Sequence, residues 1–164
     1  MSFLIYGASG YTGKLIVERA VKKGLKPTLA GRTESKLQPL ASQFGLDYIV
    51  FSLDDVSVIA SNLSKFSVVL NCAGPFSRTA KQMIKGCLEA GTHYLDITGE
   101  IEVFELAKSF HQKAVDKNII VMSGVGFDVV PTDCMAKYLH TKLSDATHLE
   151  LACWFRWQYF SRHY

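Results

Sequence analysis

Three glycines are spaced across seven residues near the start of the chain, in the segment Gly7–Gly13 with the sequence GASGYTG. The apolar run Phe3–Tyr6 before it predicts a buried strand, and the amphipathic run Thr12–Lys23 that overlaps its end predicts a helix. In such a unit the glycines permit a tight turn, close approach of a pyrophosphate and close helix–strand packing, while the helix N-terminus favours phosphate. The spacing therefore predicts a dinucleotide-binding loop. The residues expected to bind are Gly7, Ala8, Ser9, Gly10, Tyr11, Thr12 and Gly13.

Short apolar runs alternate with longer amphipathic runs along the rest of the chain. The predicted strands are Phe3–Tyr6, Pro27–Ala30, Tyr48–Phe51, Ser67–Ala73, His93–Ile97 and Ile119–Met122. The predicted helices are Thr12–Lys23, Glu34–Phe44, Asp54–Ser64, Ala80–Ala90, Val103–Lys117 and about Thr132–Leu143. Pro39 is expected to distort or split the second helix. Strands alternating with helices imply right-handed parallel crossovers, so we predict an α/β fold with a doubly wound parallel sheet of the Rossmann type.

The end of the second predicted strand indicates which dinucleotide is bound. Folds that bind NAD place an acidic residue there to hold the ribose 2′-hydroxyl, whereas this chain has Gly31, Arg32 and Thr33. An arginine can bind a 2′-phosphate with two hydrogen bonds, and a threonine hydroxyl can donate a third. We therefore predict that Arg32 and Thr33 contact the cofactor and that NADP(H) is favoured over NAD(H).

The loops after the third and fourth predicted strands should line the same crevice. Asp54 can accept a hydrogen bond from the adenine amino group or cap the following helix, and both roles are open. The small residues Cys72, Ala73 and Gly74 let the cofactor pass over the backbone. Asn71 lies in an apolar strand and needs a partner, either another loop or the ligand.

Several acidic residues follow the fifth and sixth predicted strands. Asp96 or Glu100 can carry a proton or orient a substrate, but Asp96 can equally bind backbone amides and Glu100 can begin a helix. Asp128 is a further candidate for a substrate or cofactor contact. No catalytic residue is assigned, because hydride transfer asks little of side chains beyond orienting and desolvating the cofactor.

Composition excludes several other functions. The net charge of +3 is spread along the chain, so no basic stripe for nucleic acid is present. The cysteines form no C-x-x-C pair and the histidines do not cluster, so no metal site is predicted. No segment has a secretory pattern or the roughly 18 apolar residues of a membrane span. We therefore expect a cytoplasmic protein with free thiols and a small-molecule substrate.

The C-terminal segment Leu151–Tyr164 is unusually aromatic for a chain whose sheet ends at Met122. We predict a dinucleotide-binding domain at residues 1–130 and the start of a second α+β domain at 131–164, with a strand at His148–Trp154. The chain would then be a truncated form of a longer protein. Exposed aromatic surface in this segment would favour a homodimer.

Five segments occurring in one order resemble a known family. They are GASGYTG, AGRT, NCAGPF, GTHYLDITGE and GVGFDVVPTD, of which the last two are the most specific. Together they are similar to saccharopine dehydrogenase-like oxidoreductases, including the trans-acting enoyl reductase branch. The resemblance implies an N-terminal Rossmann domain that binds NADP(H), reductase or dehydrogenase chemistry, and a second domain that closes over the nicotinamide. Because most of that domain would be absent, the chain alone is expected to be inactive.

Two alternatives remain at this stage. The first is a non-catalytic module that binds a nucleotide as a sensor or partners another protein. The second is a short-chain dehydrogenase, since Tyr138 and Lys142 match Y-x-x-x-K and Ser123 precedes them. The predicted strand near Tyr94 and the long spacing from Ser123 to Tyr138 argue against the second alternative.

Overall fold

Six parallel strands form one sheet in the computed structural model, which describes residues 2–127 and 129–150. In chain order the elements are β1 Phe3–Tyr6, α1 Tyr11–Lys22, β2 Thr28–Gly31, α2 Glu34–Phe44, β3 Tyr48–Val50, α3 Val56–Leu63, β4 Val68–Asn71, α4 Phe76–Ala90, β5 His93–Asp96, α5 Ile101–Ser109, α6 His111–Asp116, β6 Val121–Met122 and α7 Val130–Lys142. The strand order is β3-β2-β1-β4-β5-β6. This order confirms the predicted doubly wound α/β fold and places the switch in winding direction between β1 and β4.

Alternating side chains of the strands fill two hydrophobic layers, one on each face of the sheet. In β1, Ile5 packs with α1 and α2, whereas Leu4 and Tyr6 face the layer formed by α3, α4, α5 and α6. The buried members of the α1–α2 layer are Ile5, Ala8, Val17, Leu29, Leu37, Leu40 and Ala41. Because both faces are covered, the central strands are almost continuously apolar, as the sequence showed.

Helix α2 continues without a break through Pro39, so a split at this residue, one of the two predicted outcomes, is wrong. Proline removes the hydrogen bond that would reach the carbonyl of Ser35 one turn earlier. Both residues are exposed, so water can bind that carbonyl.

Two further predictions of helix bounds are also corrected. The single helix expected over Val103–Lys117 is two helices, α5 and α6, because the buried Phe110 donates its N–H to Ala107 three residues earlier and tightens the turn. Helix α4 begins at Phe76, four residues before the expected start.

The chain divides into two compact units, Met1–Pro131 and Thr132–Tyr164. The described residues of the second unit are the remainder of α7 and an irregular segment to Glu150. Residues 148–150 of the strand expected at His148–Trp154 are not in a strand, and the rest lies outside the described residues. No helix in the described ranges is long and apolar enough to cross a membrane.

Gly86 lies where α4 crosses α3, and its missing side chain sets their separation. A Cβ at this position would overlap Cγ2 of the buried Ile59 and lie 2.9 Å from its Cβ. Glycine-to-alanine changes in open helix positions usually stabilise a protein by about 0.5–1 kcal/mol. Because of the contact with Ile59, alanine at position 86 should instead destabilise the protein.

We therefore expect Gly86→Ala to lower the free energy of unfolding by about 1–3 kcal/mol, the range for overpacking a core. Denaturant unfolding measures the change. Lys85→Ala, an exposed neighbour in α4, is the control and should change stability by less than about 0.5 kcal/mol. Equal stability of the two variants would contradict the assigned packing.

Candidate functional site

The first glycine of the loop lies against the backbone of β4. Gly7 has φ +78°, and a Cβ there would lie 2.8 Å from the amide nitrogen of Ala73 and 2.9 Å from the carbonyl carbon of Cys72. The Gly7 N–H donates to the Ala30 carbonyl at 2.8 Å, which fixes the turn beside β2. Only glycine satisfies both the positive φ and the close approach.

The third glycine brings α1 close to the same turn. A Cβ at Gly13 would overlap the carbonyl oxygen of Gly7 and lie 2.9 Å from Cα of Ala8. The first helical hydrogen bond is donated by Lys14 to Gly10, at 3.0 Å. The preceding amides in the first turn have no acceptor within the helix, and Gly10 supplies no capping side chain. The N-terminus of α1 therefore has free amides at the positive end of the helix dipole, as a site for an anion requires.

Two adjoining cavities lie at the carboxyl ends of β1, β2, β3 and β4. The first has a volume of about 230 Å³ and is lined by Tyr6, Gly7, Ser9, Gly10, Gly31, Arg32, Thr33, Lys36, Cys72, Ala73 and Gly74. The second has a volume of about 280 Å³ and is lined by Tyr6, Arg32, Leu53, Asp54, Ala73, Gly74, Pro75, Arg78 and Thr79. They share Tyr6, Arg32, Ala73 and Gly74, so they form one cleft at the switch point of the sheet.

Most of the residues predicted to bind the dinucleotide line this cleft. Tyr11 and Thr12 are exposed in the first turn of α1 but line neither cavity, and Gly13 is buried beneath them. Ala8, which was also predicted to bind, lines neither cavity. Its side chain is fully buried in the α1–α2 layer and its N–H donates to the Ala30 carbonyl, so it packs the loop from behind.

The first cavity is basic and has no acidic residue in its lining. Arg32 and Lys36 are exposed there, and the hydroxyl of Thr33 is not used to cap α2. Glu34, which follows Thr33 in the chain, does not line this cavity and accepts a hydrogen bond from the Tyr48 hydroxyl at 3.0 Å. Lys36 was not among the residues predicted to bind the cofactor. A lysine in the first turn of a helix opposes the helix dipole, and this unusual position could have indicated a bound anion.

The second cavity contains Asp54, as predicted, but the alternative capping role of Asp54 is wrong. Asp55 caps α3, because its Oδ1 accepts from the Ser57 amide at 2.8 Å and from the Ser57 hydroxyl at 2.7 Å. These hydrogen bonds hold the pKa of Asp55 below its usual value.

Tyr6 forms the floor shared by both cavities. It is 2% exposed, its ring packs 5.0 Å from that of Phe51, and its hydroxyl donates to the Phe51 carbonyl at 3.0 Å. Burial raises the pKa of Tyr6 to about 12, so the hydroxyl stays protonated. This role of Tyr6 could not be predicted from the sequence, because Tyr6 is one of several apolar residues in a buried strand.

Asp96 is fully buried at the end of β5 and accepts four hydrogen bonds. The donors are the Thr98 and Gly124 amides to Oδ1, at 3.1 and 2.9 Å, and the Tyr94 and Ser123 hydroxyls to Oδ2, at 2.7 and 2.9 Å. The structural interpretation of Asp96 is confirmed. The carboxylate joins the loops that follow β5 and β6.

Asn71 and Glu100 connect neighbouring loops in the same way. The Asn71 side chain accepts from the Ala73 amide at 3.1 Å and donates to Thr79 and Tyr94. The Glu100 carboxylate accepts from the Phe76 and Ser77 amides, at 2.8 and 2.9 Å, and so caps α4 from the loop after β5. As expected, Glu100 also stands at the start of the next helix, as the residue preceding α5.

The residues of the short-chain dehydrogenase hypothesis are divided between the two units. In the second unit the Lys142 ammonium lies 5.6 Å from the ring centroid of Tyr138, and in the first unit the Ser123 hydroxyl donates to Asp96. Asp128 and the aromatic segment Leu151–Tyr164 lie outside the described residues, so their predicted roles remain predictions.

Removing the Asp96 carboxylate should destabilise the fold strongly. Asp96→Ala leaves the buried Gly124 and Thr98 amides without their acceptor, and each such loss costs about 1–3 kcal/mol. We expect the free energy of unfolding to fall by about 3 kcal/mol, measured by denaturant unfolding. Asp54→Ala, at an exposed carboxylate, is the control. A loss in Asp96→Ala no larger than in the control would disprove the network.

The Glu100 cap predicts a specific dependence of stability on pH. Burial acts to raise the pKa of Glu100, but the Phe76 and Ser77 hydrogen bonds outweigh it and lower the pKa below its usual 4.5. The stabilisation is therefore fully present above about pH 4.5 and is lost as the pH falls through the folded-state pKa.

In Glu100→Gln this acid-dependent loss should disappear, because glutamine does not titrate. Thermal melting between pH 7 and pH 3 tests this, with the exposed Glu102→Gln as the control that keeps the wild-type profile. Identical profiles for wild type and Glu100→Gln would refute the cap.

Comparison with known proteins places the chain in a family. Residues 3–122 match the model of the saccharopine dehydrogenase NADP-binding domain. A saccharopine dehydrogenase-like oxidoreductase from Homo sapiens is 29% identical over 86% of this chain and 38% of its own length. A trans-acting enoyl reductase from Mycobacterium ulcerans is 28% identical over 91% of this chain and 38% of its own length. The chain thus spans about 38% of the length of these curated relatives.

A solved structure shows the same fold. Apo saccharopine dehydrogenase (L-Glu forming) from Saccharomyces cerevisiae superposes with a TM-score of 0.75 at 20% identity, covering 88% of this chain and 32% of that protein. The Rossmann-like sheet and the match over residues 3–122 agree with the resemblance seen in the sequence. The chain belongs to the saccharopine dehydrogenase NADP-binding domain family, whose cofactor is NADP(H).

Proposed function

We propose that this chain is the NADP(H)-binding part of an oxidoreductase that exchanges a hydride with a small-molecule substrate. The observation that carries the proposal is the basic, acid-free cavity beside the glycine loop at the switch point of the sheet. NADP(H) supplies the hydride chemistry when it is bound, and a second domain would complete the substrate site.

The donors along the cleft fit the parts of the cofactor. The first-turn amides of α1, with Ser9 and Gly10, suit the pyrophosphate, because the backbone there is open and the helix dipole is positive. Arg32, Thr33 and Lys36 suit the 2′-phosphate. The lining residues assigned to the adenosine and the ribose chain are Leu53, Asp54, Cys72, Ala73 and Gly74.

The other side chains of the site would keep its loops in fixed positions. Asp96 joins the loops after β5 and β6, and Glu100 joins the loop after β5 to the start of α4. Both partners of each bond belong to the protein, so these bonds would hold the loops in place for the cofactor.

Arg32→Ala should weaken NADPH binding by about 1.5–3 kcal/mol, the range for a hydrogen bond to a charged group, and leave NADH nearly unchanged. Titration followed by nicotinamide fluorescence measures both affinities. Arg19→Ala removes the same charge from the last turn of α1 and is the matched control. Equal losses for NADPH and NADH would remove Arg32 from the 2′-phosphate site, and no binding of either nucleotide would overturn the proposal.

A further inference from the structure

The second cavity contains a cation whose role the proposed site does not explain. Arg78 lines it from α4, and Arg32 lines it from the loop after β2. Helix α4 follows β4, and the loop that holds Arg32 follows β2. Since β4 and β2 flank β1 in the sheet, the two arginines approach the cleft from opposite sides. Neither guanidinium forms an ion pair within the part of the chain that the structure describes.

Arg78 stands in the first turn of α4, as the third residue of that helix. The amides of Phe76 and Ser77 in the same turn already donate to the Glu100 carboxylate, so this helix end has its own anion. The Arg78 side chain is exposed and lines the second cavity. Lys36 is likewise the third residue of α2 and lines the adjoining cavity. Two first-turn cations and Arg32 thus surround one cleft, where Asp54 is the one acidic lining residue.

Three cations against one carboxylate in the lining favour an anionic ligand in the cleft. We infer that Arg78 is a second specificity-determining residue, which binds the 2′-phosphate of NADP(H) from the side opposite Arg32. The inference rests on the proposed function and extends it, because it makes discrimination against NAD(H) depend on both sides of the cleft. A guanidinium suits this role because its planar fork donates two hydrogen bonds to one phosphate.

The test compares the affinities of NADPH and NADH for Arg78→Gln and for Lys81→Gln, measured by nicotinamide fluorescence. Lys81 is an exposed cation on the same helix that lines neither cavity, so the control removes the same net charge. We expect the Kd of NADPH to rise about tenfold in Arg78→Gln and to stay near the wild-type value in Lys81→Gln. The Kd of NADH should change little in either variant.

Two results would overturn the inference. One is an Arg78→Gln variant with wild-type affinity for NADPH, and the other is a loss that affects NADH equally. Arg32→Ala, measured in parallel, separates this inference from the proposed function. If only Arg32→Ala loses the preference for NADPH, the role of Arg78 alone is wrong. If wild type binds neither nucleotide, the proposed function fails and the role of Arg78 with it.

Folding is checked on the same samples. Arg78 is exposed and forms no ion pair in the described ranges, so Arg78→Gln should leave the Tm nearly unchanged. Should that variant unfold, Arg78→Lys keeps the charge and removes the planar fork. A Kd for NADPH that is severalfold weaker in Arg78→Lys supports the inference, and an unchanged Kd overturns it.

Discussion

The close approach of the Gly7 turn to the backbone of β4 is the constraint on which the cleft depends. The turn lies within van der Waals distance of the Cys72–Ala73 peptide, and α1 presses on the same turn through Gly13. A side chain at either glycine would push the helix or the strand away, and the amides of the α1 N-terminus would no longer open beside β4. The glycine spacing therefore acts through steric fit, and the site for an anion follows from that fit.

The charged groups around the carboxyl edge of the sheet are divided by role. The acids are engaged by the protein itself: Glu34 by Tyr48, Asp55 by Ser57, Asp96 by four donors and Glu100 by the start of α4. The cations Arg32, Lys36 and Arg78 form no ion pair in the described ranges. Apart from Asp54, which lines the second cavity, negative charge is thus used to fix loops, and positive charge is left facing the cleft. This division favours an anion in the cleft although the net charge of the chain is only +3.

Periodicity, the glycine loop and the end of the second strand were sufficient to predict the fold and the cofactor of the family. The alternation of apolar and amphipathic runs gave every strand of the described sheet, and the dipeptide Arg32–Thr33 indicated NADP(H). Contacts between loops that are distant in sequence were not predictable in this way. Arg78 looks like an ordinary surface residue in the sequence, and the contact of Glu100 with the start of α4 became visible only when the strand order brought their loops together. The continuous helix through Pro39 and the break at Phe110 were missed because solvent access and burial decided them.

The Glu100 cap on α4 constrains the order in which parts of the chain can fold during synthesis. Glu100 follows Phe76 by 24 residues, and β5 lies between them. During synthesis α4 leaves the ribosome with its first amides uncapped, and they gain their acceptor only after β5 has been made and aligned beside β4. The start of α4, which bounds the cleft through Pro75 and Arg78, would thus gain its cap only after β5 has joined the sheet.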